Sequence, residues 1–184
     1  PSRLVGSEMC IRDSTVSSKT VVSTAASGQN QVIVDNPSSV VEGATITGTG
    51  IATSTTVSNV EVEFNTNAGA SSNGQFGTAP SAGDAIYFYD GGTLFSQVGT
   101  FVSQTTNAVK INLIANISLG SDNFYDGGSL TTVSSGTPTA NQKVGITKVS
   151  TKVFKTTTFT LSNNTTSSIA VDTQLTISQA QDDN

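Results

Sequence analysis

Two short stretches of the chain carry the same chemically useful residues. Residues 88–94 read FYDGGTL and residues 124–130 read FYDGGSL. Two carboxylates within about 5–10 Å of each other, one with a raised pKa, are what glycoside hydrolysis needs, so Asp90 and Asp126 are the candidate pair. The interpretation we favour is that both aspartates cap turns, because Asp bonds its own backbone and the following Gly supplies a positive φ.

The same stretches, together with the adjacent Tyr87, supply the residues of a candidate glycan-binding site, namely Tyr87, Tyr89, Asp90, Tyr125 and Asp126. The rings would stack on sugars while the carboxylates accept hydrogen bonds from hydroxyl groups. The alternative is that the rings alternate into the core with their hydroxyls reaching a partner. Neither stretch has the ligand spacing of a calcium loop, so we expect no metal site.

The sequence lacks the residues that most other kinds of catalytic site require. The chain has no His and a single Cys, which removes the commonest general base, Ser-His and Cys-His pairs, and the usual zinc ligands. The glycine pair Gly48 and Gly50 is followed by Ile51 rather than by the Lys of a phosphate-binding loop. The sequence therefore predicts a protein that is not an enzyme and has no cofactor.

Residues 1–14 differ in character from the rest and contain the only Cys, the only Met and both Arg residues. Residues 4–14, LVGSEMCIRDS, resemble the in-frame translation of an adapter used in preparing sequencing libraries. We therefore exclude this segment from fold prediction, assign no redox role to Cys10, and expect the segment to pack poorly.

Composition favours strands and turns. Ser and Thr together make up roughly 30% of the residues, well above ordinary usage. Thr is β-branched, and Ser and Asn compete for backbone hydrogen bonds in turns. A net charge of −5 argues against binding to nucleic acid or to an anionic membrane surface, and no apolar run is long enough to predict a transmembrane helix.

Apolar residues alternate with polar ones in short segments, as in Val60, Val62 and Phe64 around Glu61 and Glu63. This period of two is typical of a half-buried strand. We predict an all-β fold of antiparallel short strands, in one or two sandwich or barrel modules. The predicted divisions are an N-terminal module, a polar loop or linker, a C-terminal module and a frayed tail, at residues 15–64, 65–79, 80–178 and 179–184.

Two further stretches resemble virion proteins of marine tailed phages, in particular tail-fibre and baseplate proteins. The first is EGATITGTGI at residues 42–51, followed by TTVSNV at residues 55–60. The second begins GDAIY at residue 83 and continues to GTFVS, which ends at residue 103. Turns and apolar positions, rather than catalytic residues, make up both patterns.

The resemblance implies a structural component of a phage virion: a tail fibre, a baseplate appendage or a capsid decoration. Strand edges, which natural proteins cover or pair, predict a homo-oligomer such as a trimer, or docking onto other virion proteins. A host surface glycan is the expected ligand of exposed loops. A repeat module of a bacterial surface adhesin and a fragment of a polysaccharide depolymerase are the alternatives that the sequence leaves open.

Overall fold

Eleven β-strands make up the architecture of the computed structural model, which describes residues 14–37, 39–65, 79–89, 95–105, 108–114, 129–133, 145–147 and 154–180. The strands are β1 (Ser14–Ser23), β2 (Gln31–Val34), β3 (Thr45–Thr47), β4 (Val57–Asn65), β5 (Ala85–Tyr89), β6 (Phe95–Thr105), β7 (Ala108–Leu113), β8 (Ser129–Val133), β9 (Gly145–Thr147), β10 (Phe154–Leu161) and β11 (Gln174–Ala180). The described residues contain no helix. The predicted all-β class is confirmed.

All the ladders are antiparallel, and the strand order is β3-β11-β1-β2-β10-β4-β7-β6-β5-β8-β9. Strand β1 turns the corner of this arrangement, because its first part pairs with β11 and its last part, from Val21, pairs with β2. The sheet is therefore bent into two layers around one core, as in a sandwich.

The β3 edge returns towards the start of β4. Thr45 forms an isolated bridge with Thr56, the Ile46 amide donates to the Thr55 carbonyl oxygen at 3.0 Å, and the Val57 amide donates to that of Ala44 at 2.8 Å. This short bridge covers an edge that would otherwise expose unpaired backbone groups. It is not a continuous ladder, so the sheet is not closed into a barrel.

The two ends of the described chain are interleaved. Strand β10 lies between β2 and β4, and β11 lies between β3 and β1. Strand pairing therefore crosses the predicted division between residues 15–64 and 80–178. Strand β11 runs into the predicted frayed tail as far as Ala180, and the Gln179 side chain accepts a hydrogen bond of 2.8 Å from the Val41 amide.

Other predicted segments lie largely outside the described residues. Of the adapter-like segment 1–14, only Ser14 is described, as the first residue of β1. Of the loop or linker 65–79, only the two end residues are described. Predictions about the packing of these segments stay predictions.

Two rows of inward-facing side chains form the centre of the core. The first row crosses six strands through Val32, Phe159, Val60, Leu113, Gly99 and Ile86. The second crosses Val21, Val34, Thr157, Val62, Ile111 and Phe101. Every member of both rows is buried, so each strand contributes to the same apolar layer through its period of two.

Gly99 is the small member of the first row for a steric reason. A Cβ at this position would overlap the backbone carbonyl of Asn112 on the neighbouring strand β7. Strands β6 and β7 approach this closely beside a register irregularity between Phe101 and Ser103. Only glycine allows the two backbones to pack at this point.

Thr157 is the polar member of the second row. Its side-chain oxygen is buried and has no hydrogen-bond partner in the structure, while its cross-strand neighbours Val34 and Val62 are apolar. A buried hydroxyl without a partner costs about 1–3 kcal/mol.

We predict that Thr157→Val raises the free energy of unfolding by about 1 kcal/mol, because it removes this unpaired hydroxyl without changing the shape of the side chain. Urea unfolding followed by circular dichroism measures the change. The control is Thr160→Val on the opposite face of β10, expected to stay within about 0.5 kcal/mol of the parent. A Thr157→Val variant less stable than the parent would contradict the prediction and indicate that the hydroxyl has a water or protein partner.

Candidate functional site

The predicted glycan-site residues are only partly described. Tyr87 lies on β5, is half-buried, and is one residue from buried Ile86, so the two side chains face opposite sides of the sheet. Tyr89 ends β5, opposite Ser129 at the start of β8. Asp90, Tyr125 and Asp126 lie outside the described residues. Whether the five residues form one site stays a prediction, as does the carboxylate pair.

The described residues present a different surface, which we call the polar face. It is the outward side of β4, β7 and β10, opposite the two core rows. It arises because residues that alternate with buried Val60, Val62, Phe159 and Ile111 point away from the core. Its members are Asn59, Glu61, Glu63, Lys110, Asn112, Thr158 and Thr160.

Charges on the polar face are paired with each other. The Lys110 ammonium lies 3.1 Å from a Glu61 carboxylate oxygen and 3.6 Å from one of Glu63. The hydrogen bond to Glu61 raises the pKa of Lys110 above its ordinary value of 10.5, against the opposing effect of burial. Partly exposed ion pairs of this kind stabilise a surface modestly, by about 0–1 kcal/mol.

A side-chain amide pair extends the same pattern. The Asn59 Nδ2 donates to the Asn112 Oδ1 at 2.9 Å across β4 and β7. Side-chain amides can donate hydrogen bonds to a ligand that lies along the strands, and both amide and carboxylate oxygens can accept hydrogen bonds from it.

A groove of about 370 Å³ lies beside the polar face, where β1 and the turn after it meet β2 and β10. Its volume falls within the range of small-molecule sites. The lining is uncharged and combines hydroxyl, amide and methyl groups: Ser23, Thr24, Ala25, Ala26, Gln29, Gln31, Ile33 and Thr158. This chemistry fits a neutral, hydroxyl-rich ligand and offers no acid or base.

One charged side chain lies inside the core rather than on the polar face. Lys19 on β1 is only 3% exposed, and its Nζ donates to the Asn36 Oδ1 at 2.8 Å. Burial lowers the pKa of Lys19, and the nearby Asp35 charge acts in the opposite direction. Asp35 itself is exposed and accepts hydrogen bonds from the Thr20 and Asn36 amides, at 3.1 and 3.0 Å.

Within the part of the chain that the structure describes, no group of three or more His, Cys, Asp or Glu residues is placed to bind a metal ion. The same residues include no helix of the length and hydrophobicity needed to cross a membrane.

Comparisons with known proteins give no match: no family model matches the sequence, and neither a curated protein nor a solved structure is significantly similar to the chain.

We predict that Lys110 and Glu61 are coupled by about 0.2–1 kcal/mol near neutral pH, the usual value for a partly exposed pair. Because pairing raises the pKa of Lys110, this stabilisation is fully present below pH 10.5 and is lost as the pH rises through the raised pKa. A double-mutant cycle of Lys110→Met and Glu61→Gln, measured by urea unfolding on both sides of that pKa, gives the coupling.

The matched control is the cycle of Asn59→Ala and Asn112→Ala, a neutral pair on the same two strands. Its coupling should respond to neither salt nor pH, whereas that of the ion pair should fall with added salt. A Lys110–Glu61 coupling that persists unchanged above the raised pKa would show that it is not electrostatic.

Proposed function

We propose that the chain is a non-enzymatic structural module of a tailed-phage virion that acts by assembly and by surface binding. The observation that carries the proposal is the polar face: its charged and amide groups satisfy each other, on a surface set by an extended antiparallel sheet. Such a surface is suited to contact with a partner or glycan, whereas catalysis requires groups whose pKa values or geometry are arranged to react.

The residues that resemble phage proteins have structural roles, which supports this proposal. Gly43 adopts φ +89° in the turn before β3, and Gly50 adopts φ +81° after it. A Cβ on Gly50 would lie 2.8 Å from the Ile169 side chain and 3.1 Å from the Ser167 carbonyl oxygen. Gly48 and Gly50 thus allow the β3 segment to pack against the C-terminal part of the chain, and Gly43 supplies the turn before it.

The groove supports surface binding as the second part of the proposal. Glycans present many neutral hydroxyl groups, which hydrogen-bond to amides and hydroxyls of the kind contributed by Gln29, Gln31 and Thr158. Half-buried Ile33 adds an apolar patch for the less polar side of a sugar ring.

We predict that the full chain assembles into a discrete homo-oligomer, with a molar mass that is a whole multiple of 18.8 kDa. Strands at sheet edges favour pairing with further copies, and virion appendages are built from repeated subunits. Sedimentation-equilibrium centrifugation over a wide range of protein concentration measures the mass. A chain that stays monomeric at every concentration would contradict the assembly part of the proposal.

We predict that the full chain binds polysaccharide from bacterial surfaces, and that Ile33→Arg weakens this binding about tenfold, a loss of about 1.4 kcal/mol. The introduced side chain would occupy the groove. Fluorescence anisotropy with labelled polysaccharide measures the affinity. Gln97→Arg, at an exposed position on β6 away from the groove, is the charge-matched control and should bind like the parent.

Two outcomes of the binding experiment would count against the proposal. Equal weakening by both variants would indicate a general charge effect rather than binding in the groove. Release of new reducing ends from the polysaccharide would favour the depolymerase alternative and contradict a non-enzymatic role.

A further inference from the structure

Lys19 and Asn36 meet just beyond the end of the β1–β2 ladder, where the Lys19 Nζ donates to the Asn36 Oδ1. Val21 pairs with Val34, and the Asp35 amide donates to the Thr20 carbonyl oxygen at 3.0 Å. Continued past Val34, the last residue of β2, this antiparallel register aligns residue 19 with residue 36. Residues directly opposite in such a pair project to the same side of the sheet, with Cβ atoms about 4.5–5.5 Å apart.

The β11 side of Lys19 is apolar, while the Asp35 carboxylate lies near its other side and opposes the effect of burial on its pKa. Lys19 is 3% exposed, and its partner across the other edge of β1 is the fully buried Leu175. Burial lowers the pKa of Lys19, so a larger fraction of its amine is neutral, and therefore nucleophilic, than in an exposed lysine.

The pairing is unusual for a buried lysine. Among the described residues no carboxylate forms a salt bridge with Lys19, since both salt bridges belong to Lys110. A buried ammonium whose described partner is a neutral amide carries a large desolvation cost. Conversion of the two side chains into one amide would remove the charge and that cost together.

We propose that Lys19 and Asn36 form an intramolecular isopeptide bond, which joins β1 covalently to the end of β2. The neutral Lys19 Nζ attacks the Asn36 Cγ, a new C–N bond forms, and the bond from Cγ to Nδ2 breaks. One proton passes from Nζ to Nδ2, which leaves as ammonia. No oxidant, reductant or water is consumed.

The observed hydrogen bond brings the two reacting groups together. The Nζ lies 2.8 Å from the Asn36 Oδ1, so the amine contacts the carboxamide that it attacks, and this proximity replaces a bimolecular encounter. Asp35 positions the acceptor, because its carboxylate accepts hydrogen bonds from both the Thr20 and Asn36 amides.

The test is the intact mass of the purified full chain, which we predict to be lower than the sequence mass by one molecule of ammonia. Digestion with trypsin and a glutamate-specific protease locates the loss. A free Lys19 is cut by trypsin, whereas the cross-linked form yields residues 13–42 as one fragment that lacks ammonia. Incubation at mildly alkaline pH before measurement allows a slow reaction to finish.

Variants distinguish the cross-link from other losses of ammonia. Lys19→Arg and Asn36→Ala should each restore the full mass expected for the variant, whereas Lys110→Met should retain the loss. A parent chain with its full sequence mass after incubation would overturn the proposal, and this measurement requires no variant to fold. A loss that persists in Lys19→Arg, as from a succinimide at Asn73-Gly74, would also overturn it. These outcomes do not depend on the proposed virion function.

Discussion

The structure depends on the alignment of inward side chains across strands that are far apart in sequence. Phe159 lies between Val32 and Val60, so the last third of the chain supplies the residue that joins two strands of the first third. Burial of apolar surface drives this alignment, at about 25 cal/mol per Å² removed from water. Because side chains alternate with a period of two, a slip of one residue would turn a strand's apolar side outward. The register of each strand therefore determines which of its side chains enter the core.

Ser and Thr make up roughly 30% of the chain and occupy many positions outside the core rows without disturbing the sheet. β-branched Thr suits an extended backbone, and its hydroxyl is harmless on the outward side. Thr157 is an exception, because it is a threonine in a core position and its buried hydroxyl has no hydrogen-bond partner. Polar composition and a well-formed core are compatible here because most of the described Val, Ile, Leu and Phe residues of β2, β4, β7 and β10 lie on the inward side of their strands.

Local patterns in the sequence predict the strands but not their arrangement. The alternation of Val60 and Val62 with Glu61 and Glu63 predicts β4 and its inward side, and both valines are buried. No local sequence pattern predicts that β10 inserts between β2 and β4. This strand order depends on complementary surfaces of segments that lie about a hundred residues apart in the chain. The predicted division near residue 64 follows chain order, whereas strand pairing does not.

The polar residues that matter in the structure were also hard to recognise in the sequence. In β1, exposed Val16 and Val22 lie on one side, while Lys19 and Val21 lie on the buried side. Hydrophobicity alone favours the wrong side as the inward one. By contrast, the alternation around Lys110 does place it outward, and its two glutamate partners become evident only through the β4–β7 register. The tyrosine and aspartate stretches attract attention because they repeat, which is a feature of sequence rather than of burial.

The interleaving of β10 and β11 has a consequence for synthesis of the protein. Residues 14–65 leave the ribosome well before residues 154–180, so β2 and β4 exist for a time without the strand that separates them in the finished sheet. During that interval the apolar side chains of both strands and their backbone edges are open to water and to neighbouring chains. A nascent chain that stops short of residue 154 retains this exposed surface permanently. Only complete translation produces a shielded molecule, and unfinished products are left prone to aggregation and open to proteases.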